Sequence, residues 1–316
     1  LTIRLKPHQS YLKTLLHAGA QVNLIDVDSA QEASLIVYEP DFLLDISSIA
    51  RCFTDYGHHP FSYLVNAMLP PANSQAILLG NFAGTALDDI INGNGRYLWQ
   101  ETFKKNFKDK ALEYCTCDDL NRKEDFRAAA LRQTQNIQDI VTELFGDLHS
   151  DPKKPHKAGN FSREKAVLEP SFVCEQLGLQ GRADLMTTDF KLLVEQKAGS
   201  NYNIQSQKPN EYGSFQKEEH YVQLLLYYGV LRQNFRISSH NIDMRLLYSK
   251  YPLPGGLVVV NFYQKLFREA IRLRNRIVAN EFGFALNGFE GTTEALSADI
   301  LNERHLATPF FFNYIQ

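Results

Sequence analysis

The stretch LGLQGRADLMTTDFKLLVEQK, residues 177–197, decides how this chain is read. In 179–186 the residues alternate: Leu179, Gly181, Ala183 and Leu185 share one face of an extended segment, and Gln180, Arg182, Asp184 and Met186 the other. In 190–197, Phe190, Leu192, Val194 and Gln196 oppose Lys191, Leu193, Glu195 and Lys197. Glu195 and Lys197 therefore point the same way, roughly 7 Å apart by strand rise. The intervening Thr187–Phe190 is turn-like and predicts an antiparallel hairpin. The polar faces coincide only if an even-numbered residue pairs with an odd one, which needs a loop with an even number of residues. Thr188-Asp189 and Asp189-Phe190 both satisfy this, and either register gathers Asp184, Glu195 and Lys197 on one face.

Two carboxylates and an ammonium group on one sheet face call for a counter-ion. A hard divalent cation supplies it, since Mg²⁺ keeps several waters while held by one or two carboxylates. Such an ion acidifies a bound water and polarises a phosphoryl oxygen. A lysine beside it can orient the water or stabilise charge building on the phosphate. The expected chemistry is metal-assisted phosphodiester hydrolysis, with Asp184 and Glu195 as ligands of Mg²⁺ or Mn²⁺. The competing reading is an ordinary exposed sheet face. Acid-x-Lys recurs at Asp151-Pro152-Lys153, in a Pro- and Lys-rich loop with no apolar run behind it. Only the copy at 195–197 combines a strand, a preceding Gly-x-x-Asp and a hairpin.

These motifs resemble those of the PD-(D/E)XK nuclease superfamily, in its RecB-like branch, and most of all the nuclease domains of flap- and end-processing helicase–nucleases. The resemblance runs over roughly residues 36–250. It begins with Glu39–Ser47 followed by Cys52, continues with Leu78–Phe82, then Glu169, Gly181-Arg182-Ala183-Asp184, Glu195-Gln196-Lys197, and Gln223-x-x-x-Tyr227. It implies an α/β fold with a restriction-endonuclease-like core, a central mixed sheet flanked by helices, carrying helical and small β additions. It further implies catalysis by Asp184, Glu195 and Lys197, assistance from Glu169, and Gln223 and Tyr227 holding the strand or ordering Lys197. The implied partners are single-stranded or flap DNA and a covalently linked helicase.

Gln223 and Tyr227 also make sense alone, because positions i and i+4 share a helix face; a half-buried face of YVQLLLYYGVL is the plainer account of that spacing. Two departures matter. The family's first motif places a metal-binding His four residues after its glycine, and here that position is Gly84, with Asp88 or Asp89 as possible substitutes. Relatives that carry an iron–sulfur cluster use one early and three late cysteines; Cys52 matches the early one, but no cysteine follows Cys174, so no cluster is expected. The alternatives are a nuclease-shaped DNA-binding module without catalysis, motivated by Gly84, and an RNA-directed or CRISPR-associated relative.

Composition sets the outer bounds. With 316 residues, 44% hydrophobic and 22% charged, the chain is an ordinary globular protein of one large domain or two. It has no apolar run of transmembrane length, no signal-peptide shape and no initiator Met, so a cytoplasmic piece of something longer is expected. Four cysteines do not make a disulfide framework, and Cys115-Thr116-Cys117 lacks partners at zinc-finger spacing. A net charge of −3 argues mildly against nonspecific DNA coating, though basic stretches occur at 104–110, 153–165 and 268–276. Each is more often a solvated face than a DNA track. There is no phosphate loop, so the chain is not itself a motor.

In chain order, 1–46 reads as a small α/β lead-in, 47–250 as the nuclease core with a helical insertion, and 251–316 as an extension leading to a downstream domain. Ser47 or Ser48 is the expected N-cap of the helix through Cys52. His58-His59-Pro60 reads as a turn whose histidines diverge. The aromatics and lysines of 97–110 suit either stacking on single-stranded nucleic acid or, more commonly, core packing. The polar stretch 198–215 reads as a functional loop beside the site.

Overall fold

In the computed structural model the described residues are 2–54, 57–93, 97–146, 159–201, 216–237 and 242–288. The Asp151–Lys153 copy, most of the 198–215 stretch and the tail beyond 288 lie outside them. The strands are β1 (Val22–Val27), β2 (Ala33–Tyr38), β3 (Leu44–Asp45), β4 (Phe53–Thr54), β5 (Gly57–His58), β6 (Ala166–Leu168), β7 (Ser171–Cys174), β8 (Leu179–Arg182), β9 (Leu185–Thr187), β10 (Leu192–Lys197), β11 (Asp243–Tyr248) and β12 (Leu257–Val260). The α-helices are α1 (Ile46–Ala50), α2 (Phe61–Met68), α3 (Gln75–Asn92), α4 (Trp99–Asp109), α5 (Ala111–Cys115), α6 (Phe126–Phe145), α7 (Glu218–Phe235) and α8 (Gln264–Asn287).

The apolar run Leu192-Leu193-Val194 is buried on both faces, as a central strand requires. It sits in a five-stranded mixed sheet of order β12-β11-β10-β9-β6, in which β10 and β11 are parallel and the other neighbours antiparallel. A parallel pair needs a crossover, and α7 supplies it. Tyr221–Leu231 of α7 is buried throughout, because an apolar surface all round a helix leaves it no solvent face. Helices α1, α7 and α8 pack on the sheet face carrying Leu193 and Leu246, and α3 and α6 cover the opposite face carrying Leu192, Val194 and Leu247. The result is the expected α/β architecture of a mixed sheet between helices, with a three-stranded sheet (β3-β8-β7) and two small hairpins added.

Local chemistry fixes the element ends. Asp45, rather than Ser47 or Ser48, caps α1: its carboxylate accepts the Ser48 N–H at 2.9 Å and the Ser47 hydroxyl at 2.5 Å. Asp125 caps α6 through the Ala128 N–H at 2.7 Å. Arg163 closes α3 from outside, donating to the Ile90 carbonyl at 2.6 Å and the Ile91 carbonyl at 2.8 Å, which satisfies orphan acceptors at the negative end of the dipole. One arginine of the 153–165 stretch is thus structural.

The lead-in is fastened by α8. Arg274, wholly buried, donates to the carbonyls of Tyr38, Glu39, Phe42 and Gly178, and Asn275 bridges the Tyr38 N–H and the Ile36 carbonyl. A solvated face is therefore the wrong account of the 268–276 stretch at Arg274. Residues past 250, read from sequence as an extension, supply β12 to the central sheet and α8 to its core. In α4, Trp99 and Phe103 pack with Phe82 and Phe126 in the core, while Lys105 stays exposed.

Candidate active site

The chain passes from the three-stranded sheet to the central one at Ala183-Asp184, so Asp184 lies in the break between β8 and β9 rather than within one continuous strand. Leu193 pairs with Met186 and Val194 with Leu185, an even residue against an odd one, which is the register of the Asp189-Phe190 alternative. Continued by one residue, that register sets Asp184 opposite Glu195. The turn is held by Thr187, whose hydroxyl accepts the N–H groups of Lys191 at 3.2 Å and Leu192 at 3.1 Å.

Asp184, Glu195 and Lys197 come together. Asp184 accepts the Gln196 N–H at 2.6 Å, and its side chain also meets that of Glu195. One Glu195 oxygen receives Lys197 Nζ at 3.0 Å and Gln223 Nε2 at 2.6 Å, and Lys197 Nζ also donates to Gln223 Oε1 at 2.8 Å. The second Glu195 oxygen, Oε2, is buried with no hydrogen-bond partner. Burial, and then the neighbouring Asp184 charge, push Glu195 up to about 8, with Lys197 pulling the other way. Burial also raises Asp184, against the Gln196 N–H.

The other expected residues take more particular positions. Tyr227 makes no hydrogen bond to Lys197: its hydroxyl donates to the Arg182 carbonyl of β8 at 2.6 Å, and the side chain is buried. Gly181 lets its ring lie close, since a Cβ there would sit 3.1 Å from it. Glu169 falls just beyond β6, with φ +49°, not on a strand. Its N–H donates to the Asp184 carbonyl at 2.9 Å, and its carboxylate turns to Arg182 at 3.0 Å. Gly84, on α3, faces Gln196 with ordinary contact room for a Cβ. One turn further, Asp88 is pushed up to about 6 by burial and then by Glu169, Asp184 and Asp89, so it belongs to the acidic group. Asp89 instead accepts the Thr102 hydroxyl at 2.5 Å.

Among the described residues no three His, Cys, Asp or Glu side chains form a ready metal cage. The donor set for a cation is the Asp184–Glu195 pair. An orphaned, buried carboxylate oxygen beside a second carboxylate fits a hard ion that keeps most of its waters. A cleft of about 250 Å³ is walled by Ser47, Arg51, Lys197, Glu219, His220 and Gln223; it reaches the carboxylate pair through Lys197 and Gln223, the two side chains bonded to Glu195. Sequence reasoning missed Arg51 and His220, which carry no motif signal of their own. Burial, then Lys197 and Lys217, pull His220 down to about 3, and its ring meets the Tyr248 hydroxyl at 3.0 Å. A separate cleft of about 340 Å³ is lined by Ala198, Gly199 and Ser200, with Lys123, Arg132 and Lys250 and also Asp119 and Glu124 on its walls.

The remaining candidates are structural. Cys52 lies in the core with its thiol on the Ser48 carbonyl at 3.4 Å, and burial pushes it up to about 12. His58 stacks on Phe53 and approaches Glu269, whereas His59 is fully buried and accepts the Phe61 N–H, so the two do diverge. No helix among the described residues is long and apolar enough to cross a membrane.

Fold and site together define a mixed α/β protein with a buried carboxylate pair behind a lysine and a glutamine that line a cleft. No family model and no curated protein matches the chain. Among solved structures, a protein from Eubacterium rectale described as "Putative exonuclease" is similar over 77% of this chain and 82% of its own, at 12% identity and a TM-score of 0.44.

Proposed function

We propose that this chain is a Mg²⁺- or Mn²⁺-dependent deoxyribonuclease acting on single-stranded or flap DNA, the nuclease part of a larger helicase–nuclease. The observation that carries the reading is the unpartnered Glu195 Oε2, buried against Asp184 with Lys197 at the mouth of an open cleft. A cation bound there by Asp184 and Glu195 would supply an acidified water and polarise the scissile phosphate. The Gln196 N–H fixes the Asp184 carboxylate. Gln223 bridges Glu195 and Lys197 and so holds both rotamers. The Lys197 ammonium group orients the attacking water or meets charge on the phosphate, and Arg51 across the cleft offers a forked donor to a neighbouring phosphate. Tyr227 and Glu169 act as positioning residues, through the Arg182 carbonyl and the Asp184 backbone.

Cleavage of end-labelled single-stranded DNA with Mg²⁺ or Mn²⁺ tests the reading. Wild type should cut and Glu195→Ala should not; equal cleavage by both removes the assignment. Gly84, where the family pattern has His, favours a second reading: a DNA-binding module without catalysis. DNA binding with neither cleavage nor Asp184-dependent metal uptake would establish it. RNA offered in parallel separates an RNA-directed relative.

A further inference from the structure

Away from this cleft, α8 presents Arg268 and Arg272 four residues apart, hence on one helix face. Both line a small pocket closed by His8 and Tyr11 of the lead-in and by Ser34 and Ile36 of β2, with the Glu269 carboxylate also on its wall. The Nε atoms of both arginines are buried there with no hydrogen-bond partner. A buried, cationic N–H left without an acceptor is among the more costly arrangements in a folded protein. Its neighbours relieve it only in part, through Arg272 Nη1 and not through either Nε. Glu269 is shared between Arg272 at 3.5 Å and His58 at 3.8 Å, and Lys6 is turned to Asp28 and Glu32. Burial, then the charges of Arg268 and Lys6, hold His8 below its ordinary value, with Glu269 pulling the other way and Arg272 adding a smaller push down.

We infer that this pocket between the lead-in and α8 is a binding site for a phosphate-class oxyanion, gripped by Arg268 and Arg272. The enclosed space of about 20 Å³ admits one oxygen atom and opens to solvent, so the anion inserts an oxygen between the guanidinium groups and keeps the rest outside. Tyr11 fixes one wall, because Arg272 lies over its ring at 5.1 Å. The phosphate can belong to a free anion or to a polynucleotide backbone. The inference stands independently of the cleavage site.

Thermal unfolding and calorimetry of the whole chain with inorganic phosphate, against chloride at equal ionic strength, test it. Phosphate should raise the melting temperature of wild type, and Arg268→Gln, which leaves the Tyr11 contact alone, should weaken its affinity roughly tenfold or more. Arg268→Lys, keeping charge without the fork, should fall between. If Arg268→Gln also weakens binding of a single-stranded oligonucleotide, the phosphate is a backbone one; if only free phosphate is affected, the ligand is a free anion. Identical behaviour in phosphate and chloride, with wild-type phosphate affinity in Arg268→Gln, would mean that the pocket holds only water and overturns the inference.

Discussion

Replacing Arg274 by Met puts the tie between the lead-in and the core to a quantitative test. The side chain is fully buried and donates to the carbonyls of Glu39 at 2.7 Å, Phe42 at 2.6 Å and Gly178 at 3.3 Å, and to that of Tyr38. Met fills similar volume and removes the cost of burying a charge, which by itself favours the variant by several kcal/mol. Against this, four carbonyls lose a charged donor, and each buried acceptor left bare costs about 1–3 kcal/mol. The second effect should win, because four bare acceptors at that cost each outweigh the several kcal/mol recovered by removing the charge. A net loss of even a few kcal/mol is a large share of a total stability of about 5–15 kcal/mol. Urea unfolding followed by far-UV circular dichroism would show the midpoint fall at unchanged slope. The reasoning also makes a coupling claim. Gly178 has φ +62°, and a Cβ there would lie 2.3 Å from Arg274 Nη2. Gly178→Ala should therefore harm wild type more than it harms Arg274→Met. A loss under about 1 kcal/mol in Arg274→Met, or strict additivity with Gly178→Ala, would refute the assignment of Arg274 as the clamp.

Three further outcomes are expected. Gly84→Ala should stabilise the fold by about 0.5–1 kcal/mol in chemical denaturation, because the helix gains a residue of higher propensity and the Cβ has room. His220 is held neutral, its folded pKa of about 3 lying below the unfolded 6.5, so it favours the fold fully above pH 6.5. That advantage is lost as pH falls toward 3, at about 1.4 kcal/mol per pH unit, and His220→Gln should flatten the unfolding free energy over this window. Asp88 is shifted the other way, to about 6, so its ionisation opposes folding increasingly from pH 3.8 upward and fully above pH 6. In chelator, Asp88→Asn should gain about 1 kcal/mol at pH 7, allowing for solvent screening, and nothing below pH 4.

The hairpin parity was legible because side-chain alternation has a period of two and leaves few registers: Glu195 and Lys197 had to share a face, and Asp184 had to join them if the loop was even. What alternation could not show was that β8 and β9 belong to different sheets, since Leu179–Met186 keeps its pattern through the break at Asp184. Helix spacing put Gln223 and Tyr227 on one face and only the resemblance set them at Lys197; Gln223 does touch Lys197, whereas Tyr227 meets the Arg182 carbonyl. Asp45 displaced the expected serine cap because local side chain–backbone bonds compete within one turn, and a carboxylate is the stronger acceptor. Arg51 and Arg274 were illegible for a common reason. Whether an arginine lines a cleft, clamps buried carbonyls or lies in solvent depends on contacts with residues far away in the chain, and nothing in its immediate neighbours records them.

The account rests on the Asp184–Glu195 pair gripping a cation. Calorimetric titration of Mn²⁺ into wild type and into Asp184→Asn tests this most directly. The expected result is saturable binding in wild type, weakened at least about tenfold in the variant while its circular dichroism spectrum is unchanged. Superimposable isotherms for the two proteins, or no heat of binding in wild type, would contradict it.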